Sequence, residues 1–186
     1  MNKKEFRVWQ RQRLEQFAAS RQKQLEDQEL AAQALEHPLV RQAWKIGVTM
    51  PLPLEVDTRP LLARLRAQGK QLYLAKCRPG WQLDFVKWDA GTPLQQTKFG
   101  VWEVAGDGES AQDLDLLLVP GLAFSPEGKS RIGFGGGYYD RFLAKHQVKT
   151  LALVNSAMFF PHPVWATQEH DKAMDDLIIV KEAGDE

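Results

Sequence analysis

Two uninterrupted apolar runs, "LDLLLVP" at 114–120 and "KTLALVN" at 149–155, set the tightest limit on how this chain can fold. A strand with one face in water alternates apolar and polar residues. A run without alternation is buried on both faces, as in a parallel sheet covered by helices. Helical stretches flank these runs. Leu61, Leu62 and Leu65 follow Pro60 in a segment that stops at Gly69, and "YYDRFLAKH" at 138–146 precedes the second run. Asp57 or Thr58 with Pro60 makes a helix start. "WKIGVTM" (44–50), "KQLYLAK" (70–76), "QLDFVKW" (82–88) and a final "LIIV" read as further strands, the middle two joined by a turn at Pro79-Gly80. Strands alternating with helices predict an α/β fold with a mainly parallel sheet flanked by helices, as a single domain over 1–186.

At the N-terminus, Phe6, Trp9, Leu14 and Phe17 recur at near-helical spacing with basic residues between them, which predicts an amphipathic helix over 3–19. A second, Ala-rich helix is expected over 26–36, broken by Pro38. Residues 90–113 read as loop.

Composition narrows the classes. A hydrophobic fraction of 44%, with six tryptophans and nine phenylalanines, supplies a core. No stretch approaches the run of about 18 apolar residues that a membrane span requires, and "MNKKEFRVWQRQRL" lacks the apolar centre of a signal peptide. The single cysteine, Cys77, forms no internal disulfide and suits a reducing compartment. A cytoplasmic protein with no membrane partner is expected. Basic and acidic residues balance at 24 each, which argues against a dedicated nucleic-acid binder. Lys3, Lys4, Arg7, Arg11, Arg13, Arg21 and Lys23 nevertheless crowd the first 23 residues. Such a head is either a solvated helix face or a grip for one polyanionic small molecule.

Two familiar phosphate motifs fail. "EGKS" at 127–130 ends like a Walker A loop, but the first glycine of that motif would fall on Ala123. The dinucleotide fingerprint fails because its third glycine would fall on Tyr138. His37, His146, His162 and His170 show no zinc-type pairing. Ser125 and Ser156 lie in no nucleophile elbow.

What remains is "GFGGGYYDRFL" at 133–143, with Gly133, Gly135, Gly136 and Gly137 ahead of a helix beginning near Tyr138. Glycines there leave backbone N–H groups unencumbered, and the helix end adds positive potential, so a phosphate is a natural guest. Arg131 offers a bidentate grip on phosphate oxygens. Asp140, in the first turn, suits the helix dipole or a Mg²⁺ carried on those phosphates. A glycine-rich turn whose tyrosines pack on the sheet accounts for the same residues equally well.

Read in order, "LLVPGLAFSPEGKSRIGFGGGYYDRFL" (117–143) resembles the signature of the 5-formyltetrahydrofolate cyclo-ligase family. "KKEFR" (3–7), "MPLPLEVDT" (50–58), "TKFGVWE" (97–103) and "EHD" (169–171) match further family motifs in family order. The resemblance implies an ATP- and Mg²⁺-dependent enzyme that closes 5-formyltetrahydrofolate into 5,10-methenyltetrahydrofolate by way of a phosphorylated formyl oxygen. ATP is then a co-substrate. Lys3, Lys4 and Arg7 would contact it, and the stretch from Arg131 through Gly133, Gly135, Gly136 and Gly137 to Tyr138 and Tyr139 would wrap its phosphates. Asp140 and Asp171 would serve magnesium. Met50 and Glu55 would contact the folate, Trp102 would wall its pocket, and Tyr138, Tyr139 and Arg131 would stand at the reaction centre. A monomer with no nucleic-acid or membrane partner is expected. The chain departs from the family pattern at Ser125, where an aspartate is usual, and at Val104 and Ala75, where prolines are usual.

Overall fold

The computed structural model describes residues 2–180. Its centre is a six-stranded sheet. Strands β1 (Lys45–Val48), β2 (Gln71–Arg78), β6 (Leu116–Leu118), β9 (Lys149–Val154) and β10 (Asp176–Ile179) run parallel, and β3 (Gln82–Lys87) closes one edge antiparallel to β2. The strand order is β10-β9-β6-β1-β2-β3. From β1 the chain builds outward to β2 and β3, then returns to lay β6 on the other side of β1. A crevice opens at the carboxyl ends of strands where the order reverses in this way, between β1 and β6.

The apolar runs behave as their lack of alternation requires. Leu116, Leu117 and Leu118 are buried, as are Leu151, Ala152, Leu153 and Val154. Gly47 in β1 permits this packing: a Cβ there would lie 2.5 Å from Leu117 Cδ2 and 2.9 Å from Leu114 Cδ1. Helix α4 (Arg59–Ala67) crosses from β1 to β2 and buries Leu61, Leu62 and Leu65. It packs on α2 (Arg21–Glu36), which also reaches β9 and β10. Helix α5 (Tyr138–Lys145) lies against β3, with the Phe142 ring edge-on to Phe85 at 5.1 Å.

Four expectations need correction. Helix α1 (Lys3–Ala18) forms, capped by Asn2 and Glu5, but its buried stripe is Phe6, Gln10 and Leu14, while Trp9 is 40% exposed. Of the residues anticipated for its apolar face, Phe6 and Leu14 are buried and Phe17 packs partly buried against the core, while Trp9 falls outside the buried stripe. Gln10 occupies the stripe because its amide donates to the Leu122 and Ala157 carbonyls, 2.8 Å each, pinning α1 across the loops that follow β6 and β9. Helix α2 begins at Arg21, earlier than expected, because the Ser20 side chain accepts from the Lys23 amide. Pro38 ends α2 and also opens a short helix, α3 (Pro38–Gln42), at whose first turn a missing N–H costs nothing. Within the stretch 90–113 expected as loop, β4 (Leu94–Gln96) pairs with β5 (Trp102–Val104), and further on β7 (Ala123–Ser125) pairs with β8 (Ser130–Ile132). Three-residue strands carry too little periodicity to be read from a sequence.

Candidate active site

A cleft of about 1370 Å³ opens at the reversal point, with Thr49 beyond β1 and Pro120 beyond β6 in its wall. Helix α1 lies along it, the glycine segment and α5 form another wall, and the β2–β3 and β4–β5 hairpins contribute Cys77, Trp81, Phe99 and Glu103.

One end is basic and rich in backbone amides. Lys3, Lys4, Arg7, Arg131, Gly133, Gly135, Gly136 and Gly137 all line it, together with Tyr138, Asp140 and Asp171. The glycines are there for conformation and for space. Gly135 and Gly137 hold φ of 108° and 68°, and a Cβ on Gly136 would lie 2.8 Å from the Tyr138 ring. Gly137 is the residue before α5 and supplies no side-chain cap, so the first N–H groups of that helix are left to other acceptors. Arg7 Nε donates to the Gly133 carbonyl at 2.9 Å and fixes the segment against α1. Arg131 is buried, with one nitrogen on the Pro120 carbonyl at 2.9 Å and another 3.4 Å from Asp140. Its Nε is buried with no partner, an orphan donor on a residue that lines the cleft.

The two candidate metal carboxylates belong to adjoining segments. Asp140 accepts from the Lys172 amide at 3.1 Å, and Asp171 accepts from Lys3 and, at 2.8 Å, from the Gln168 amide. Burial alone would raise the Asp171 carboxyl. The Lys3 ammonium and the Gln168 amide outweigh it and hold the group below the usual aspartate range. Among the described residues, no three His, Cys, Asp or Glu side chains gather as a metal cage. Two carboxylates beside a phosphate-sized cradle fit Mg²⁺, which binds through one or two carboxylates plus phosphate oxygens.

The other end is apolar with one buried acid. Glu55 accepts from the Leu52 amide at 2.7 Å, and its loop closes on itself through the Glu55 amide and the Leu52 carbonyl. Burial pushes its carboxyl up to about 7 against the opposing pull of that amide, Lys23 and Arg11. The Tyr139 hydroxyl is buried without a partner, and burial, followed by the nearby Glu55 charge, drives its ionisation well above the ordinary phenol range. Both polar groups are therefore poised for a ligand that carries donors and acceptors.

Thirteen of the residues anticipated from the sequence line this one cleft; Met50 and Trp102 do not. Met50 packs partly buried against the core, while its neighbours Thr49 and Leu52 face the cleft. Trp102 lies on β5, where side chains alternate between faces, so Val101 and Glu103 point in and Trp102 does not. Sequence reasoning missed Glu103, whose buried carboxylate accepts from the Cys77 amide at 3.0 Å, and it missed Trp81 and Phe99. The short strand at 102–104 would have exposed the alternation had it been recognised. Trp81 carried no signal beyond following Pro79-Gly80. Ser125, the departure from the family pattern, is absent from the cleft lining. Its hydroxyl donates to the Pro161 carbonyl at 3.1 Å and accepts from the Glu127 amide at 3.2 Å, holding the turn between β7 and β8.

A mainly parallel α/β sheet with a large cleft at its reversal point, basic at one end and apolar at the other, is the architecture of a small-molecule enzyme. Among the described residues no helix is long and apolar enough to cross a membrane. The sequence pattern of the 5-formyltetrahydrofolate cyclo-ligase family matches residues 1–180. A 5-formyltetrahydrofolate cyclo-ligase of Haemophilus influenzae is 33% identical over 136 residues, covering 70% of this chain and 72% of that one. The Escherichia coli K12 protein of the same name is 30% identical over 142 residues, covering 74% and 77%. The NMR structure of an Aquifex aeolicus 5,10-methenyltetrahydrofolate synthetase superposes with a TM-score of 0.79 at 25% identity, covering 97% of this chain and 91% of that one. A Mycoplasma pneumoniae 5,10-methenyltetrahydrofolate synthetase shares the fold, with a TM-score of 0.72 at 19% identity over 96% and 98% of the two chains.

The chain belongs to the 5-formyltetrahydrofolate cyclo-ligase family. Its activity is that of a ligase in folate one-carbon metabolism.

Proposed function

We propose that this chain, acting as a single cyclo-ligase domain and as a monomer, uses Mg-ATP to close 5-formyltetrahydrofolate into 5,10-methenyltetrahydrofolate, with release of ADP and phosphate. The observation that carries the reading is one continuous cleft joining the Lys3–Arg7–glycine wall to the buried Glu55–Tyr139 end.

In the chemistry proposed, the formyl oxygen attacks the γ-phosphorus, the bond to the β-phosphate oxygen breaks, and ADP leaves with that electron pair. The nitrogen at position 10 then attacks the formyl carbon and loses its proton. The carbon–oxygen bond breaks, and inorganic phosphate departs with the electrons. An amide oxygen is a poor leaving group and phosphate a good one, so the protein's task is positioning and charge stabilisation.

Lys3, Lys4 and Arg7 would hold the nucleotide phosphates against the glycine segment, with Arg131 beneath it. Asp140 and Asp171 would hold magnesium, which neutralises phosphate charge when bound. Glu55 would accept hydrogen bonds from the pterin, and its carboxyl, titrating near neutrality, is suited to exchange a proton there. Tyr139 would offer its unpaired hydroxyl to the substrate, and Tyr138 would wall the junction of the two ligands.

The test is near-ultraviolet absorbance of the purified protein with 5-formyltetrahydrofolate and Mg-ATP, following the methenyl chromophore. A rise that needs both ATP and magnesium and largely vanishes in Asp140→Ala supports the proposal. Folded protein that binds ATP and gives a flat trace would instead be a binding protein that has lost turnover.

A further inference from the structure

Of the four basic side chains of α1 that line the cleft, Lys3, Arg7 and Arg11 are spaced four residues apart and so share one stripe of the helix, with Lys4 beside it. Their engagements differ. Lys3 is bound to Asp171, and Arg7 to the Gly133 carbonyl. Arg11 forms no ion pair among the described residues; its guanidinium lies over the Phe134 ring, 5.2 Å from the centroid. Phe134 sits inside the glycine segment, at the basic end. At the apolar end, the buried Glu55 carboxyl feels Arg11 as a positive neighbour. Arg11 therefore stands between the two ends.

The other guanidinium groups in the wall, those of Arg131 and Arg141, already have partners at terminal nitrogens, although Arg131 Nε has none. Arg131 is taken up by Asp140 and the Pro120 carbonyl, and Arg141 donates to the Gly136 carbonyl at 2.6 Å. A phosphoryl group in transfer spreads negative charge over its equatorial oxygens, and an arginine that meets that charge accounts for a large part of the acceleration in related chemistry. Stacking on an aromatic face fixes the plane of a guanidinium while its N–H edges stay available.

We infer that Arg11 is a catalytic residue of this chain, donating to the phosphoryl oxygens as the group passes from nucleotide to formyl oxygen. The inference rests on the ATP-dependent reaction proposed above and adds the residue that bridges its two half-sites.

Arg11→Gln and Arg11→Lys, compared with wild type, test it through steady-state kinetics, calorimetric binding of Mg-ADP, and the pH dependence of binding of a non-reactive folate analogue. Arg11 is exposed on its helix, so both variants should fold, as circular dichroism will verify. The expected result is a fall in kcat of about 100-fold in Arg11→Gln, partial recovery in Arg11→Lys, and unchanged Mg-ADP affinity. The groups that face Glu55 are Arg11 from α1, Lys23 from α2, Tyr139 from α5 and the Leu52 amide. Removing Arg11 takes away one of the two positive neighbours, so the titration that Glu55 imposes on analogue binding should move to higher pH in Arg11→Gln and stay in place in Arg11→Lys.

An active wild type with kcat retained in Arg11→Gln overturns the inference alone. So does a joint loss of kcat and Mg-ADP affinity that Arg11→Lys fails to rescue, because Arg11 would then merely support Phe134. A wild type that makes no methenyl product overturns this inference together with the reaction on which it rests.

Discussion

Lys3 Nζ lies 2.7 Å and 2.6 Å from the two carboxylate oxygens of Asp171, a residue 168 positions away in the chain. The contact ties the first turn of α1 to the segment that precedes β10, across the mouth of the cleft. It also joins a residue proposed to contact phosphate with one proposed to hold magnesium. Lys3→Ala should cost about 1 kcal/mol of stability, a drop of roughly 2–4 °C in Tm. The sign with pH follows from Asp171, whose folded carboxyl is held below its unfolded value. Its contribution is complete at neutral pH and is lost only as pH falls through the lowered value. Without Lys3, burial dominates and the carboxyl rises, so Mg-ADP affinity in Lys3→Ala should decline at a higher pH than in wild type. Calorimetric titrations between pH 4 and 8 would decide it, and identical profiles would refute the coupling.

Glu55 gives the opposite pH signature. Its carboxyl rises from an ordinary 4.5 to about 7 on folding, so ionising it in place works against the fold. Stability associated with Glu55 is full below about 4.5 and is lost as pH rises towards 7. At about 1.4 kcal/mol per unit, the upper bound on that loss is roughly 3 kcal/mol. Glu55→Gln keeps an acceptor for the Leu52 amide and removes the charge. It should therefore raise Tm at pH 8, leave Tm nearly unchanged at pH 5, and weaken folate binding. Melting curves at the two pH values test the first part; an unchanged Tm at pH 8 would contradict the assignment.

Gly137 separates conformation from space. Its φ of 68° is one that L-residues rarely adopt, and a Cβ would lie 2.9 Å from an Arg141 nitrogen at the end of a movable side chain. Backbone strain thus dominates, at about 1 kcal/mol. Gly137→Ala should melt a few degrees lower and lose nucleotide affinity, because the N-terminal amides of α5 would be re-aimed. Gly106, with a φ of 66°, lies outside the cleft lining and serves as the control. Gly106→Ala should show a similar loss of stability with nucleotide affinity intact.

The sequence was most legible where a single physical constraint dominated. The runs at 114–120 and 149–155 could only be buried strands, and Gly133–Gly137 before an N-terminal turn could only be a special backbone. Gln10 was not legible, because nothing local distinguishes a glutamine that will meet two carbonyls from distant loops. Nor was the environment of Glu55. The 50–58 motif marked it, but its raised carboxyl is a product of tertiary burial under α1, α2 and α5. The pairings of Lys3 with Asp171 and Arg131 with Asp140 depend on sheet topology and are invisible to spacing.

Trp102 and Phe99 provide the sharpest test of that difference. The family resemblance implied that the tryptophan of "TKFGVWE" walls the folate pocket. In the folded chain Trp102 is 41% exposed but faces away from the cleft, while Phe99, 77% exposed, lines it. An aromatic ring so exposed beside a large cleft gains most from a ligand that covers it, and burying a phenylalanine against a partner is worth roughly 1.5–3 kcal/mol. Phe99→Ala should therefore raise KM for 5-formyltetrahydrofolate by about tenfold or more while KM for ATP holds, since 1.4 kcal/mol corresponds to one decade. Trp102→Ala should leave both KM values within about twofold, as surface substitutions generally perturb by less than about 0.5 kcal/mol. The reverse outcome, a folate defect confined to Trp102→Ala, would mean that the β4–β5 hairpin turns its other face to the substrate in the working enzyme.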